Sequence, residues 1–300
     1  MIICIVFLLT QDLQSCTSFH TVPPPGPCVR SEMFPELNSI LSSSPENFTE
    51  GEFILLSDRQ ADASFLIHHY LTFYLRARCR VCFLGLVQSF SHYSVVSQRL
   101  GVNLTQAKEK GQLVFLEALK ASPGVLLGDE SSDKTAALDY LRSPCPELRG
   151  LYEFVWNSLS RAGGEDAAES WGPPVLIIDD LSVLLSLGVS AGAILDFTHY
   201  CQATICSQLQ GSMIALVRCD DEEYDEDEES SNYLLKALSH QCSLSLRVEG
   251  LSTGYCRDIH GQVEIWWRGR GIKNQRKIFQ YKVHDKGASF FAPGTSRAVL

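Results

Sequence analysis

Five short runs in which nearly every residue is apolar set the terms for this chain: Phe53–Leu56, Val81–Val87, Leu113–Leu116, Val175–Ile178 and Met213–Val217. A strand with one face in water alternates apolar and polar residues. A strand buried on both faces does not, so runs of this kind mark the interior of a parallel sheet. Parallel neighbours cannot be joined by a tight turn and need crossovers, and the segments between the runs supply them. Ala63–Ala77, Tyr93–Leu100, Ala136–Leu141 with Leu151–Arg161, and Ala191–Leu209 carry helical periodicity. Gly101 and Gly211 stand where two of these helices should stop. The alternation predicts an α/β fold, a doubly wound and mostly parallel sheet with helices on both faces.

After residue 242 the pattern changes. Ser243–Val248 and Ser252–Trp267, with a turn at His260-Gly261, read as antiparallel strands. Phe279–His284 and Ala288–Phe291 flank Asp285-Lys286-Gly287, a hairpin signal. A parallel core finished by antiparallel β-hairpins on one edge fits a RecA-like fold. Residues 33–300 are read as a single such domain, with Val125–Lys134 a flexible excursion and Gly163 to Gly172 a loop. Residues 1–32 are expected to be a disordered or alternative N-terminal extension. Met1–Leu9 is apolar but lacks a basic flank and is too short to span a bilayer, and Pro23–Pro27 is linker-like.

The formal charge of −10 owes −9 to one run, Asp220–Glu229. The rest is near neutral, so the total does not exclude a nucleic-acid partner. Such a block repels itself and is expected to be a solvated, disordered loop over residues 220–231. The eleven cysteines follow no disulfide spacing, and several sit inside apolar segments (Cys82, Cys201, Cys206, Cys219). That suits free thiols of a soluble protein in a reducing compartment. Cys79-Arg80-Val81-Cys82 is a lone CxxC with no second pair, read as structural rather than as half a zinc site.

One strand–loop–helix invites a nucleotide. Glu52–Leu56 leads through Ser57-Asp58-Arg59-Gln60-Ala61-Asp62-Ala63-Ser64 into a helix, and the phosphate-loop frame G-x-x-x-x-G-K-[ST] fits from Ser57 to Ser64. Ser57 and Asp62 stand where the glycines belong, Ala63 replaces the lysine, and only Ser64 conforms. Such a loop works because glycines let amides wrap the phosphates while a lysine neutralises them. Asp62 adds a negative charge instead. At ~4 Å and an effective dielectric near 20, each like-charge pair costs roughly 4 kcal/mol, about a thousandfold in affinity. The frame is therefore a degenerate P-loop, or simply a strand and helix joined by a polar loop with Asp62 as N-cap.

Pro173–Ile178 runs into Asp179-Asp180, which resembles a Walker B strand whose aspartate holds Mg²⁺ already bound to phosphate. Strand ends also carry Asp as a capping residue. The strand that should end in a water-orienting carboxylate ends in Gln88-Ser89 instead. Cradle, cation and carboxylate are missing together, which favours a fold without catalysis, with no cofactor and no metal.

Further candidates lie elsewhere. Arg257, Arg268, Arg270, Lys273, Arg276 and Lys277 make the C-terminal hairpin region basic, a possible RNA contact or a solvated loop. Adjacent Trp266 and Trp267 point to opposite faces of a strand, so one packs inward and the other needs a cover, such as a partner subunit. His92 follows a core strand at its C-terminal end and could face a neighbour.

Several segments are similar to one family. Met33-Phe34-Pro35-Glu36-Leu37, Cys82-Phe83, Gln88–Ser94, Gly111–Glu117, Asp179–Gly188, Leu195–Cys201 and Cys256–Gln262 resemble the Elongator complex protein 6 family. The resemblance runs from Met33 to Leu300. It implies a RecA-like subunit without working Walker motifs, not an enzyme, in a hetero-hexameric ring with the fourth and fifth Elongator subunits. That ring binds tRNA and serves core Elongator in carboxymethyl-type modification of the wobble uridine. The cysteine usage and the N-terminal segment are read as those of an intracellular protein with no membrane partner, expected in the cytoplasm with the nucleus as a second location. Two other readings stay open from the residues: a RecA-like ATPase using an unconventional loop, and a DNA-recombination paralogue.

Overall fold

The structure, a computed structural model, describes residues 34–118, 120, 137–142, 147–160, 171–219, 226–251, 254, 256–268 and 275–294; for 226–230 it describes the backbone alone. The chain order is α1 (Pro35–Leu41), β1 (Phe53–Arg59), α2 (Ser64–Arg76), β2 (Cys79–Gly85), α3 (Phe90–Arg99), α4 (Leu104–Glu109) and β3 (Leu113–Glu117). A 3₁₀ turn (Asp139–Arg142) precedes α5 (Arg149–Ser160), β4 (Gly172–Ile178), α6 (Ser182–Ser186) and α7 (Ala191–Cys201). The last of these continues as a π-helix over Gln202–Gln208 into β5 (Ser212–Arg218) and α8 (Glu226–Gln241). Then come β6 (Leu244–Glu249), β7 (Gly261–Trp267), β8 (Gln275–His284) and β9 (Gly287–Phe291).

The strands form one sheet in the order β3-β2-β4-β5-β1-β6-β7-β8-β9. β1 through β5 pair in parallel, and β6 is parallel to β1 but antiparallel to β7, so it turns the sheet from one regime to the other. This is the RecA-like arrangement, with β7–β9 as antiparallel hairpins on one edge.

The hydrophobic pattern explains the layers. In β1, Ile54 and Leu56 face one core and Phe53 and Leu55 the other. The first core is closed by α1–α4 through residues such as Leu37, Leu66, Tyr93 and Leu104. The second is closed by α5–α8 through Leu151, Leu184, Ile194, Leu234 and Leu238. By contrast β6 reads Leu-Ser-Leu-Arg-Val-Glu, and only Leu244, Leu246 and Val248 are buried. There the sheet becomes one-sided.

Several expectations need revision. β1 runs through Ser57 and Asp58 to Arg59, so the polar loop is only Gln60–Ala63. Backbone pairing with β5 and β6 on both sides carries the strand past its apolar stretch. Within the acidic run, residues 226–231 are helical and open α8. The crossover that links β5 to β6, both parallel to β1, supplies this helix. Residues 256–260 are not strand, and β7 starts at Gly261. That segment is held beside β8 by side chains: Asp258 accepts from Lys282 Nζ at 3.1 Å, and the Val283 amide donates to His260 Nδ1. Gly261 is required by packing, because a Cβ there would lie 2.3 Å from the Glu249 carbonyl. Gly211 serves likewise beside Pro174, while Gln210 takes the left-handed turn at φ 53°.

Cys79 and Cys82 face opposite cores of the sheet, and burial pushes both thiols up to about 12, which suits packing rather than chelation. Among the described residues no helix is long and apolar enough to cross a membrane. The 1–32 extension, the Val125–Lys134 excursion, residues 163–170 of the expected Gly163–Gly172 loop and Asp220–Asp225 lie outside the described residues, while Gly172 opens β4.

Candidate functional site

Parallel strands deliver their C-terminal ends to one edge of the sheet, and there β1, β2, β4 and β5 bring together the residues a nucleotide would meet. Ser57 and Asp58 close β1, Asp62 and Ala63 form the turn, and Ser64 opens α2. Asp179 and Asp180 follow β4, and His92 lies in the first turn of α3. The sequence frame thus assembles as a place. Its carboxylates and the Ser64 hydroxyl are instead engaged by groups of the chain itself.

Asp179 is wholly engaged. Its Oδ1 accepts the Leu86 amide at 2.8 Å, and its Oδ2 accepts the Val87 and Gln88 amides at 3.2 and 3.3 Å. The Tyr93 hydroxyl also donates to Oδ2, at 3.2 Å. The carboxylate therefore ties down the turn after β2, where an active enzyme would hold a metal-bound phosphate. Burial pushes its pKa up, and these four donors pull it back.

Asp180 faces Arg218, the last residue of β5. The Nε–Oδ2 distance is 3.2 Å, and Asp180 Oδ1 accepts the Ser182 amide at 2.8 Å. Arg218 also lies 3.5 Å from Asp62 and 3.9 Å from Asp58, and its Nη2 donates to the Ser64 hydroxyl at 3.0 Å. Asp62 Oδ1 in turn accepts the Ser64 amide at 2.8 Å, but the N-cap position is Ala63, so Asp62 is not the N-cap the sequence suggested. Asp58 accepts the Ala63 amide at 3.1 Å.

One guanidinium thus sits among three carboxylates where phosphates would be bound. Burial raises Asp58 and Asp180 to about 6 despite the attraction of Arg218. For Arg218, burial alone would lower the pKa, and Asp58, Asp62, Asp180 and Asp179 more than reverse it. Three carboxylates surround a single guanidinium, and a phosphate placed ~4 Å from one of them would meet repulsion of roughly 4 kcal/mol.

His92 stands at the margin of this network. Its ring lies 5.5 Å from that of buried His68, burial lowers its pKa, and the charge of Asp62 works against that shift. His68 and His69 are pushed down to about 3 by burial and are neutral core residues.

The C-terminal candidates form a separate surface. Trp267 packs against the first core, with Lys277 Nζ 5.5 Å from its ring centre. Trp266 faces the other side, between the guanidinium groups of Arg268 at 5.1 Å and Arg276 at 5.4 Å. Its indole N–H donates to Glu264, which also pairs with Arg276. Within the chain two cations thus lie over the Trp266 ring, which stays half-buried. Arg257 is exposed in the segment before β7, and Arg270 and Lys273 lie outside the described residues.

Arg218, the residue that most defines the site, is not among the candidates that sequence motifs supply. Its signal is modest: an apolar core strand, Met213–Val217, ending in a cation at the same sheet edge as the aspartates. Asp58 escapes notice in the phosphate-loop frame because that frame places it in the loop rather than on the strand.

Comparison with known proteins agrees with this architecture. A protein of Pyrococcus horikoshii, uncharacterised and solved with an unknown peptide, shares the fold at a TM-score of 0.52 and 12% identity, over 85% of this chain and 96% of that one. Elongator complex protein 6 of Danio rerio is 70% identical over 270 residues, covering 89% of this chain and 100% of the relative. The Homo sapiens protein of the same name is 49% identical over 273 residues with the same coverage. The profile of the family described as Elongation complex protein 6 matches residues 34–285, and the chain belongs to that family.

Proposed function

We propose that this chain is a non-catalytic Elongator subunit, part of a hetero-hexameric RecA-like ring with the fourth and fifth subunits of that complex. The ring binds tRNA and supports carboxymethyl-type modification of the wobble uridine. The chain contributes surfaces rather than chemistry. It acts in the cytoplasm, and in the nucleus where Elongator is present. The observation that carries the reading is the internal use of the nucleotide position: Arg218 occupies it and Asp179 is spent on the turn after β2. A RecA-like protomer that has abandoned its own nucleotide still offers two flanks for neighbours.

Two surfaces suit that role. His92 lies at the C-terminal edge of the sheet, where a neighbouring protomer or its nucleotide would approach. Trp266 with Arg268 and Arg276 forms a polar aromatic patch that fits either a partner or RNA phosphates. Lys277, beside Trp267, adds positive charge on the opposite face of the sheet, and Arg257 is exposed in the segment before β7.

Co-expression with the fourth and fifth Elongator subunits, followed by native mass measurement, tests the assembly. The expected species contains each of the three chains twice. A chain that stays monomeric in that mixture refutes the ring. Competition on the purified ring then separates the recombination reading: tRNA should displace duplex DNA, and preference for duplex would count against the proposal.

A further inference from the structure

At the end of the sheet away from the nucleotide position, the Glu52 carboxyl group lies against helix α2. Glu52 immediately precedes β1, where Phe53 faces the second core and Ile54 the first, so the Glu52 side chain turns with Ile54 toward the first core. Its backbone is fixed there. The Met213 amide donates to its carbonyl at 2.9 Å, and Cys206 Sγ, from the π-helix, donates to the same oxygen at 3.4 Å. Ser212 stands beside it on β5, one residue before the Phe53–Met213 pair. Tyr70 and Tyr74 close the site from α2, one helical turn apart, with stacked rings 6.2 Å between centres.

We propose that Glu52 and Tyr70 form a proton-sensitive latch between α2 and the start of β1, fastened when the Glu52 carboxyl carries a proton and released when it ionises.

Bonding capacity is the first support. Tyr70 is 3% exposed, and its hydroxyl has no hydrogen-bond partner among the described residues. A buried hydroxyl left in that way is costly, and the group able to satisfy it is close by. Glu52 is half-buried, and among the described residues no hydrogen bond or ion pair holds its carboxyl. A neutral carboxyl offers an O–H that donates and a carbonyl oxygen that accepts, so it can turn inward and bond the phenol. An ionised one must give up its water to do the same, and it stays at the rim.

Electrostatics is the second. Burial raises the Glu52 carboxyl from 4.5 to about 7, so its proton leaves close to neutral pH. The groups that face it do not titrate there. Burial pushes the Cys206 and Cys79 thiols up to about 12 and raises the Tyr70 and Tyr74 phenols above their ordinary range. His69, whose ring centre lies 5.1 Å from that of Tyr70, is pushed down to about 3 and is neutral. Glu50 is exposed and lies toward Cys79. None of these groups is a cation that could hold the ionised carboxylate in place.

The direction with pH follows. The unfolded chain releases the Glu52 proton near 4.5 and the folded chain near 7, so the stability that the neutral carboxyl contributes is whole below the first value and is lost as pH rises to the second.

Urea unfolding of the full chain from about pH 5 to about pH 8 tests the latch on wild type, Glu52→Gln and Tyr70→Phe. Glu52→Gln cannot ionise, so the wild-type folding constant should fall relative to it by about tenfold per pH unit between about pH 5 and pH 7, then level off. A ratio that stays within about threefold across that range overturns the proposal. Tyr70→Phe separates a latch from burial alone. With the phenol bonded to neutral Glu52, the variant should be about fivefold or more less stable than wild type at about pH 5.5 and equal to it at about pH 8. A variant as stable as wild type at both values, or more stable, overturns the role of Tyr70, since removing an unbonded buried hydroxyl costs nothing. Should Glu52→Gln fail to fold, the Met213 amide of wild type, which bonds the Glu52 carbonyl, reports the same event by NMR. Its shift should titrate with a midpoint near 7, about 0.7 unit lower in Tyr70→Phe, and the absence of any midpoint between about 6 and 8 overturns the latch.

Discussion

Replacing Arg218 by alanine is the sharpest perturbation of this fold. Arg218 lies 3.2 Å from Asp180, 3.5 Å from Asp62 and 3.9 Å from Asp58, so each pair is worth roughly 4–5 kcal/mol at an effective dielectric near 20. Most of that repays desolvation, and Arg218 and Asp62 are both partly solvated, so the net loss is far smaller than the sum. Asp58 and Asp180 are nearly inaccessible, and leaving them buried without a counter-ion costs about 3 kcal/mol. For a chain of this size that lowers the midpoint of thermal unfolding by about 5 °C.

The sign with pH follows from the acids. Their folded pKa values are raised from the ordinary 3.8 to about 6, so their protonated forms stabilise the fold at low pH. That contribution fades as pH rises through about 6. Without Arg218 both values move higher still. The variant should therefore be further below wild type at about pH 8 than at about pH 5.5. Urea unfolding at the two pH values measures the difference, and Asp58→Asn with Asp180→Asn should recover most of it. An Arg218→Ala protein within ~0.5 kcal/mol of wild type at both pH values would refute the reasoning, because surface pairs behave that way and buried ones do not.

Three other outcomes are expected. In Asp179→Asn the new amide group points a donor at the Val87 and Gln88 amides, which should cost about 2 kcal/mol and speed hydrogen exchange at those two positions. His68 and His69 stay neutral when folded, so wild type should lose about 1.4 kcal/mol per pH unit relative to His69→Gln as pH falls below 6.5. Parallel denaturation curves of the two proteins from neutral pH downward show whether that gap changes. Arg276→Glu should uncover Trp266 and, on the assembled ring, weaken tRNA binding while reducing its salt slope by about 1 unit; an unchanged slope would remove this patch from the RNA path.

The core is legible in the sequence because burial on both faces leaves an unbroken apolar run, and all five such runs are strands of the sheet. Helix α8 is not, although Leu234 and Leu238 lie one helical turn apart and both face the second core. The acidic residues before them suggest a loop, while the parallel pairing of β6 with β1 demands a crossover there. At the site, Ser57–Ser64 and Asp179-Asp180 mark the place correctly from local pattern alone. Their partners do not follow from local pattern. Arg218 is 154 residues from Ser64 in sequence, and the amides that Asp179 accepts are 91 to 93 residues away. Only the strand order sets those groups side by side. The same limit applies to Trp266, whose covering cations Arg268 and Arg276 come from the end of its own strand and from the next one.

The most direct check of whether this protomer has given up its nucleotide is calorimetric titration of the full chain with Mg-ATP. With Arg218 in place and Asp179 engaged, no saturable heat should appear up to ~1 mM. Micromolar binding that disappears in Asp180→Ala would contradict the account, since it would show a triphosphate seated where the guanidinium now lies.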